Sequence, residues 1–112
     1  MKKLIRDKYI DIIKDEDVKL YYINDVTSNN DDERNKLKKT YLFEKLSEEI
    51  EELKTAADKD NIAEELCDVM TVLHRIIKFY NINSKRINLL VEDKETRLGG
   101  FDDFLIMEKE DG

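Results

Sequence analysis

The chain has 112 residues, 42% of them charged, with 20 basic against 27 acidic side chains and a net charge of −7. That length predicts one domain, residues 1–112, whose core is small enough that further burial in a homo-oligomer, a dimer or a tetramer, is expected. The acidic balance argues against a general binder of nucleic-acid polymers or membrane surfaces, and no apolar run approaches the roughly 20 residues of a membrane span.

The first residues, MKKLIRDKYI, lack a long apolar stretch, so no signal peptide is expected. The single cysteine, Cys67, excludes an internal disulfide, and a reducing, cytoplasmic setting is expected. Zero prolines and three glycines, two of them adjacent, predict a largely helical chain.

In chain order, Leu4, Ile5, Tyr9, Ile12 and Ile13 recur at helical spacing and predict a short helix. Residues 18–23, Val-Lys-Leu-Tyr-Tyr-Ile, are β-branched and aromatic and predict a short strand. Val26 to Asp32 reads as loop, with Asp31 or Asp32 capping a long helix over about 32–58. A turn at Asp58–Asn61 leads to a second helix over about 61–80. After a turn at residues 81–84, with Ser84 as N-cap, a fourth helix carries Ile87, Leu90 and Val91 and ends near Leu98, where Gly99-Gly100 stops it. Residues 101–107 predict a strand beside 18–23. The expected fold is mainly α: a bundle of about four helices built on an antiparallel pair (32–58 and 61–80), with a small two-stranded β element.

The antiparallel pair carries two acidic clusters, Glu48-Glu49-x-x-Glu52 and Glu64-Glu65-x-x-Asp68. At about 100° per residue, Leu42, Leu46, Ile50, Leu53 and Ala57 form one apolar stripe. Glu49 lies on its border, with Glu52 one turn further, while Glu44, Glu48 and Glu51 point away. In the following helix Ile62, Leu66, Val69, Met70, Leu73, Ile76, Ile77 and Tyr80 form the stripe. Glu65 and Asp68 sit on its flank, in the column that continues as Val72, Ile76 and Phe79. In an antiparallel hairpin, Glu49 and Glu52 would face Glu65 and Asp68. Four such anions repel unless a cation lies among them, and an oxygen-only set suits Mg²⁺, or Mn²⁺, better than zinc. The competing explanation is a pair of amphipathic helices whose glutamates only solvate the surface.

With Lys45-Leu46 before it, E-E-x-x-E, a spacer and E-x-x-D resemble the signature of the MazG-like nucleotide pyrophosphohydrolases, an all-α superfamily. Lys3-Leu4-Ile5-Arg6-Asp7-Lys8 with Ile12-Ile13 resembles the KLVRDKIPEII opening of a small single-domain branch, with Ile10 in place of its proline. Lys94-x-x-Arg97-x-Gly99-Gly100-Phe101 resembles that branch's K…RGGF close, with Leu98 where an arginine often stands.

The resemblance implies metal-dependent hydrolysis of a nucleoside triphosphate, or a related nucleotide, to the monophosphate and pyrophosphate. It implies Glu49, Glu52, Glu65 and Asp68 as metal ligands, and Glu48 with Glu49 as the catalytic acids. Glu48 would hold a second metal, orient water or bond a basic neighbour. Arg6 and Lys8 would bound the substrate pocket, although a surface ion pair explains them equally. Lys94 and Arg97 would contact phosphate, or merely suit a helix C-terminus. Lys45 would bind phosphate or pair with Glu49 along the helix. His74 reads as a core or interface residue, the tyrosines 21, 22 and 41 as packing residues or as rings that stack on a base, and Cys67 as an ordinary small side chain. Two alternatives stand beside this reading: a non-catalytic helical nucleotide-binding or protein-interaction module, and a phosphoribosyl-ATP pyrophosphohydrolase, which resembles the family in fold and acid motif.

Overall fold

The computed structural model describes residues 1–27 and 29–110; Ser28, in the expected loop, and Asp111 and Gly112, at the end of the expected domain, lie outside them. The chain is mainly α. A 3₁₀ helix, Asp7–Asp11, is followed by α1 (Ile23–Val26), α2 (Asp31–Thr55), α3 (Lys59–Phe79) and α4 (Ser84–Leu98). It divides into two compact units, Met1–Ile76 and Ile77–Gly112, and α3 runs from the first into the second.

In the first unit the antiparallel pair α2–α3 is the frame. Asn30, not Asp31 or Asp32, caps α2: its side-chain oxygen accepts from the Glu33 N–H at 3.2 Å. The two aspartates become first-turn anions, where the exposed N–H groups favour negative charge. α1 packs on α2, and the Arg34 Nε donates to the Thr27 hydroxyl at 3.2 Å.

α2 ends at Thr55, short of the expected 58. The Thr55 hydroxyl donates to the carbonyls of Glu51 and Glu52 at 3.1 and 3.2 Å, and Asp58 is taken by the next helix. Its carboxylate accepts from the Asn61 N–H and its carbonyl from the Ile62 N–H, both at 2.9 Å. That cap starts α3 at Lys59, two residues before the expected 61.

Burial is thin. Among the described residues only Leu42, Val72 and Glu49 are buried; Leu46 and Leu53 are half-buried, and Ile50 and Ala57 of the expected stripe are exposed. With so little interior, each buried aliphatic group counts heavily. Leu42→Ala is expected to cost about 2–4 kcal/mol, measured by urea unfolding; a loss under about 0.5 kcal/mol would show that Leu42 is not packed.

In the second unit the end of α3 closes in a Schellman arrangement. The Asn81 N–H bonds the Lys78 carbonyl at 3.0 Å and the Ile82 N–H bonds the Ile77 carbonyl at 3.1 Å, while Asn81 takes φ 54°. Asn83, rather than Ser84, caps α4, accepting from the Lys85 N–H at 2.8 Å. Gly99 stops α4 with φ 79°, its N–H bonded to the Glu95 carbonyl at 2.9 Å. That conformation is one L side chains rarely adopt.

Two sequence expectations do not hold. The N-terminal helix is reduced to the 3₁₀ turn, closed by the Tyr9 N–H on the Arg6 carbonyl at 3.0 Å. So short an apolar-patterned segment does not sustain an α-helix without a face to pack on, and Tyr9, Ile10 and Ile12 are exposed. The β element is absent: no strand occurs among the described residues. Residues 18–22 lead directly into the helical turn of α1, and Phe104 takes φ 50° inside the other segment. A lone two-stranded ribbon is marginal in water, so strand propensity alone does not form one. No helix of the described residues is long and apolar enough to cross a membrane.

Candidate metal centre

Helical phase carries the acids inward. Glu49 stands at i+7 from Leu42, i+3 from Leu46 and i−4 from Leu53, so the face of α2 that turns Leu42 into the interior turns Glu49 with it. Only 5% of Glu49 is exposed. On α3, Asp68 is one turn and Glu65 two turns before the buried Val72, and both are half-buried. One carboxylate oxygen from each of Glu49, Glu65 and Asp68 lies within 4.8 Å of the others.

Three ionised carboxylates at such separations repel by about 3 kcal/mol per pair at an effective dielectric of about 20. Basic neighbours offset part of this. Lys45 Nζ lies 3.2 Å from both Glu48 and Glu49, and Arg6 Nη2 lies 2.6 Å from Asp68 Oδ1. Glu65 has no ion-pair partner among the described residues, and one buried oxygen of Glu65 and one of Glu49 lack any hydrogen-bond partner. Burial pushes the Glu49 carboxyl above its ordinary range; Lys45 opposes this and the adjacent Glu52 adds to it. For Glu48, burial acts upward too, but hydrogen bonds from Lys3 and Lys45 win and hold it below the usual range. Burial would lower the Lys45 ammonium, yet its pairs with Glu49 and Glu48 raise it. The hydrogen bond to Asp68 raises Arg6.

The donor set fits a hard divalent cation. It is all oxygen, which suits Mg²⁺ or Mn²⁺. The three oxygens, within 4.8 Å of one another, lie close enough for side-chain rotation to bring them onto one such ion. A cation would also satisfy the two orphaned oxygens, which otherwise cost free energy as buried, unbonded acceptors.

The other expected site residues are distributed as follows. Glu52 is exposed and outside the close group, though near enough to Glu49 to raise its carboxyl. Glu48 is shared between Lys45 and Lys3, the latter at 3.1 Å. Lys8 is exposed. Lys94 and Arg97 lie on α4 in the second unit, both exposed, with Arg97 paired to Asp93 at 3.0 Å. His74, Cys67, Tyr21 and Tyr22 are exposed, which removes the core place expected for the two tyrosines and, of its two expected places, the core one for His74; Tyr41 is half-buried. Lys3 is the participant that sequence reading passed over as a site residue. Its only signal is its place one turn before Arg6 in the opening motif.

A mainly α chain whose two antiparallel helices bring carboxylates together from E-E-x-x-E and E-x-x-D is the design of the all-α nucleoside triphosphate pyrophosphatase superfamily. Within it, a family model for phosphoribosyl-ATP pyrophosphohydrolase matches residues 22–94, well over half of the chain, and the chain belongs to that family. The family is one of pyrophosphohydrolases, hydrolases of phosphoanhydride bonds. The matched range contains Lys45, Glu48, Glu49, Glu52, Glu65, Asp68 and Lys94; the opening segment with Arg6 and the close with Arg97 fall outside it. No curated protein and no solved structure matches the chain.

Proposed function

We propose that this protein is a Mg²⁺-dependent nucleotide pyrophosphohydrolase that cleaves a nucleoside or deoxynucleoside triphosphate, or a related nucleotide, to the monophosphate and pyrophosphate. The observation that carries this reading is the convergence of Glu49, Glu65 and Asp68 from two helices, with two buried carboxylate oxygens left unbonded.

Glu49, Glu65 and Asp68 would hold the cation, and Glu52, exposed and beside Glu49, would complete the set. Mn²⁺ would serve in the same place. Bound there, the ion would neutralise phosphate oxygens and favour ionisation of a water. The chain's own contribution is position and charge, which is most of what phosphoryl transfer asks of a protein. Lys45 opposes the effect of burial on Glu49 and holds its ammonium beside the site; Arg6 and Lys8 supply cationic groups for the polyphosphate. Glu48, held by Lys3 and Lys45, keeps those lysines in place and, once one of them turns to phosphate, would be free to accept a proton. Lys94 and Arg97 are proposed phosphate contacts on the strength of their motif.

Phosphoribosyl-ATP as substrate is the second reading, favoured by the family match. The opening and closing segments, outside that match, resemble the small MazG-like branch and favour the first. The proposed protein is cytoplasmic, in keeping with its one unpaired cysteine, and acts on no nucleic-acid polymer and no membrane. It is also proposed to be a homo-oligomer, a dimer or tetramer. On α3, Ile62, Leu66, Met70 and Leu73 recur at helical spacing and stay 36%, 45%, 54% and 42% exposed. A row that apolar is costly to leave in water.

The test is pyrophosphate release, with Mg²⁺, across ribo- and deoxyribonucleoside triphosphates and phosphoribosyl-ATP. At least one is expected to turn over, and the preferred one decides between the two substrate readings. No release from any of them would overturn the enzymatic reading.

A further inference from the structure

The opening segment is tied across both helices of the candidate metal centre. Lys3 reaches Glu48 on α2 at 3.1 Å, and Arg6 reaches Asp68 on α3 at 2.6 Å. These contacts span 45 and 62 residues of sequence. The guanidinium therefore sits on one of the three carboxylates that converge, while a neighbouring carboxylate, Glu49, is buried with one oxygen unbonded. A divalent ion among Glu49, Glu65 and Asp68 would stand close to the Arg6 charge and claim the same carboxylate. Like charges cannot share that position without cost.

We propose that Arg6 is a built-in competitor for the divalent cation: it occupies Asp68 when the centre is empty, and cation binding displaces it and loosens the opening segment from α3. The inference rests on the metal-centre reading above. Its consequence is an order of events in which the displaced guanidinium, on a residue whose backbone carbonyl still accepts from the Tyr9 N–H, becomes available to an anionic ligand only after the cation has arrived. The centre is thereby partly neutralised when empty, and a cationic arm is released when it is filled.

The experiment is calorimetric titration of the full chain with Mn²⁺ alone, without nucleotide, on wild type, Arg6→Gln, Lys3→Gln and Glu49→Gln. Arg6→Gln is expected to tighten Mn²⁺ binding about two- to fivefold, in line with loss of one half-exposed ion pair. Lys3→Gln, which frees Glu48 but leaves Asp68 paired, is expected to change it less than twofold. Amide exchange across residues 4–13 is expected to quicken in wild type when Mn²⁺ is added. Unchanged or weaker binding by Arg6→Gln, or slower exchange of that segment with Mn²⁺, overturns the proposal while leaving the metal centre intact. If wild type takes up no more Mn²⁺ than Glu49→Gln, the metal centre itself falls, and this inference with it.

Discussion

Glu49→Gln is expected to lower pyrophosphate release at least about a hundredfold, the scale on which a single transition-state electrostatic contact is lost, while the metal-free protein remains as stable as wild type or becomes more so. The two halves of that result come from one cause. Glu49 is 5% exposed, and burial holds its carboxyl above the ordinary range despite Lys45. Relative to the unfolded chain, the metal-free fold therefore shifts Glu49 toward its neutral form. A group with a raised folded-state pKa supports stability below its unfolded value, and that support is lost as pH rises through the folded value. The stability advantage of Glu49→Gln should therefore be absent in acid and grow toward neutral pH, read as thermal midpoints with chelator present. Glu48 has the opposite sign: held low by its lysines, it supports the fold above its unfolded value and loses that support as pH falls through the folded one.

Asp68→Asn is expected to abolish activity to a similar degree, but it strips Arg6 of its partner at 2.6 Å and should cost up to about 1 kcal/mol as a half-exposed pair. A pair of inactive variants with opposite stability shifts distinguishes a catalytic centre from a merely structural ion cluster. Loss of activity that tracks unfolding in both would remove the distinction and the reading built on it.

Removal of the divalent ion is the second large effect. Chelation is expected to abolish turnover, with Mg²⁺ or Mn²⁺ restoring it. Binding should also stabilise the fold, because the ion relieves the repulsion among three carboxylates and satisfies the unbonded oxygens of Glu49 and Glu65. At a hundredfold excess over the dissociation constant the linkage amounts to about 2.7 kcal/mol, or roughly 10 °C in thermal midpoint for a domain of this size. Glu49→Gln should show little of that rise. A wild-type midpoint insensitive to both ions would mean that the carboxylates meet for another reason.

How much of this was visible in the residues follows from the range of the forces involved. Helical phase is a local property, about 100° per residue. The alignment of Glu49 with Leu42 and Leu53, and of Glu65 and Asp68 with Val72, could therefore be read without knowing what lies opposite. The capping groups are local as well, and the observed caps lie within one or two residues of the expected ones, Asn30 for Asp31 or Asp32 and Asn83 for Ser84. Strand formation is not local. Val18 to Ile23 has the composition of a strand, but a strand exists only through a partner's hydrogen bonds, and none forms among the described residues.

By itself, then, the sequence determined the three long helices and the faces on which their acids ride, because backbone geometry repeats those positions whatever else the chain does. Tertiary structure alone decided which acids meet and which cations reach them. Glu52 shares a helix with Glu49 yet stays in solvent, while Arg6 crosses 62 residues to reach Asp68. Such pairings depend on how distant segments approach, and no repeat along the chain encodes that distance.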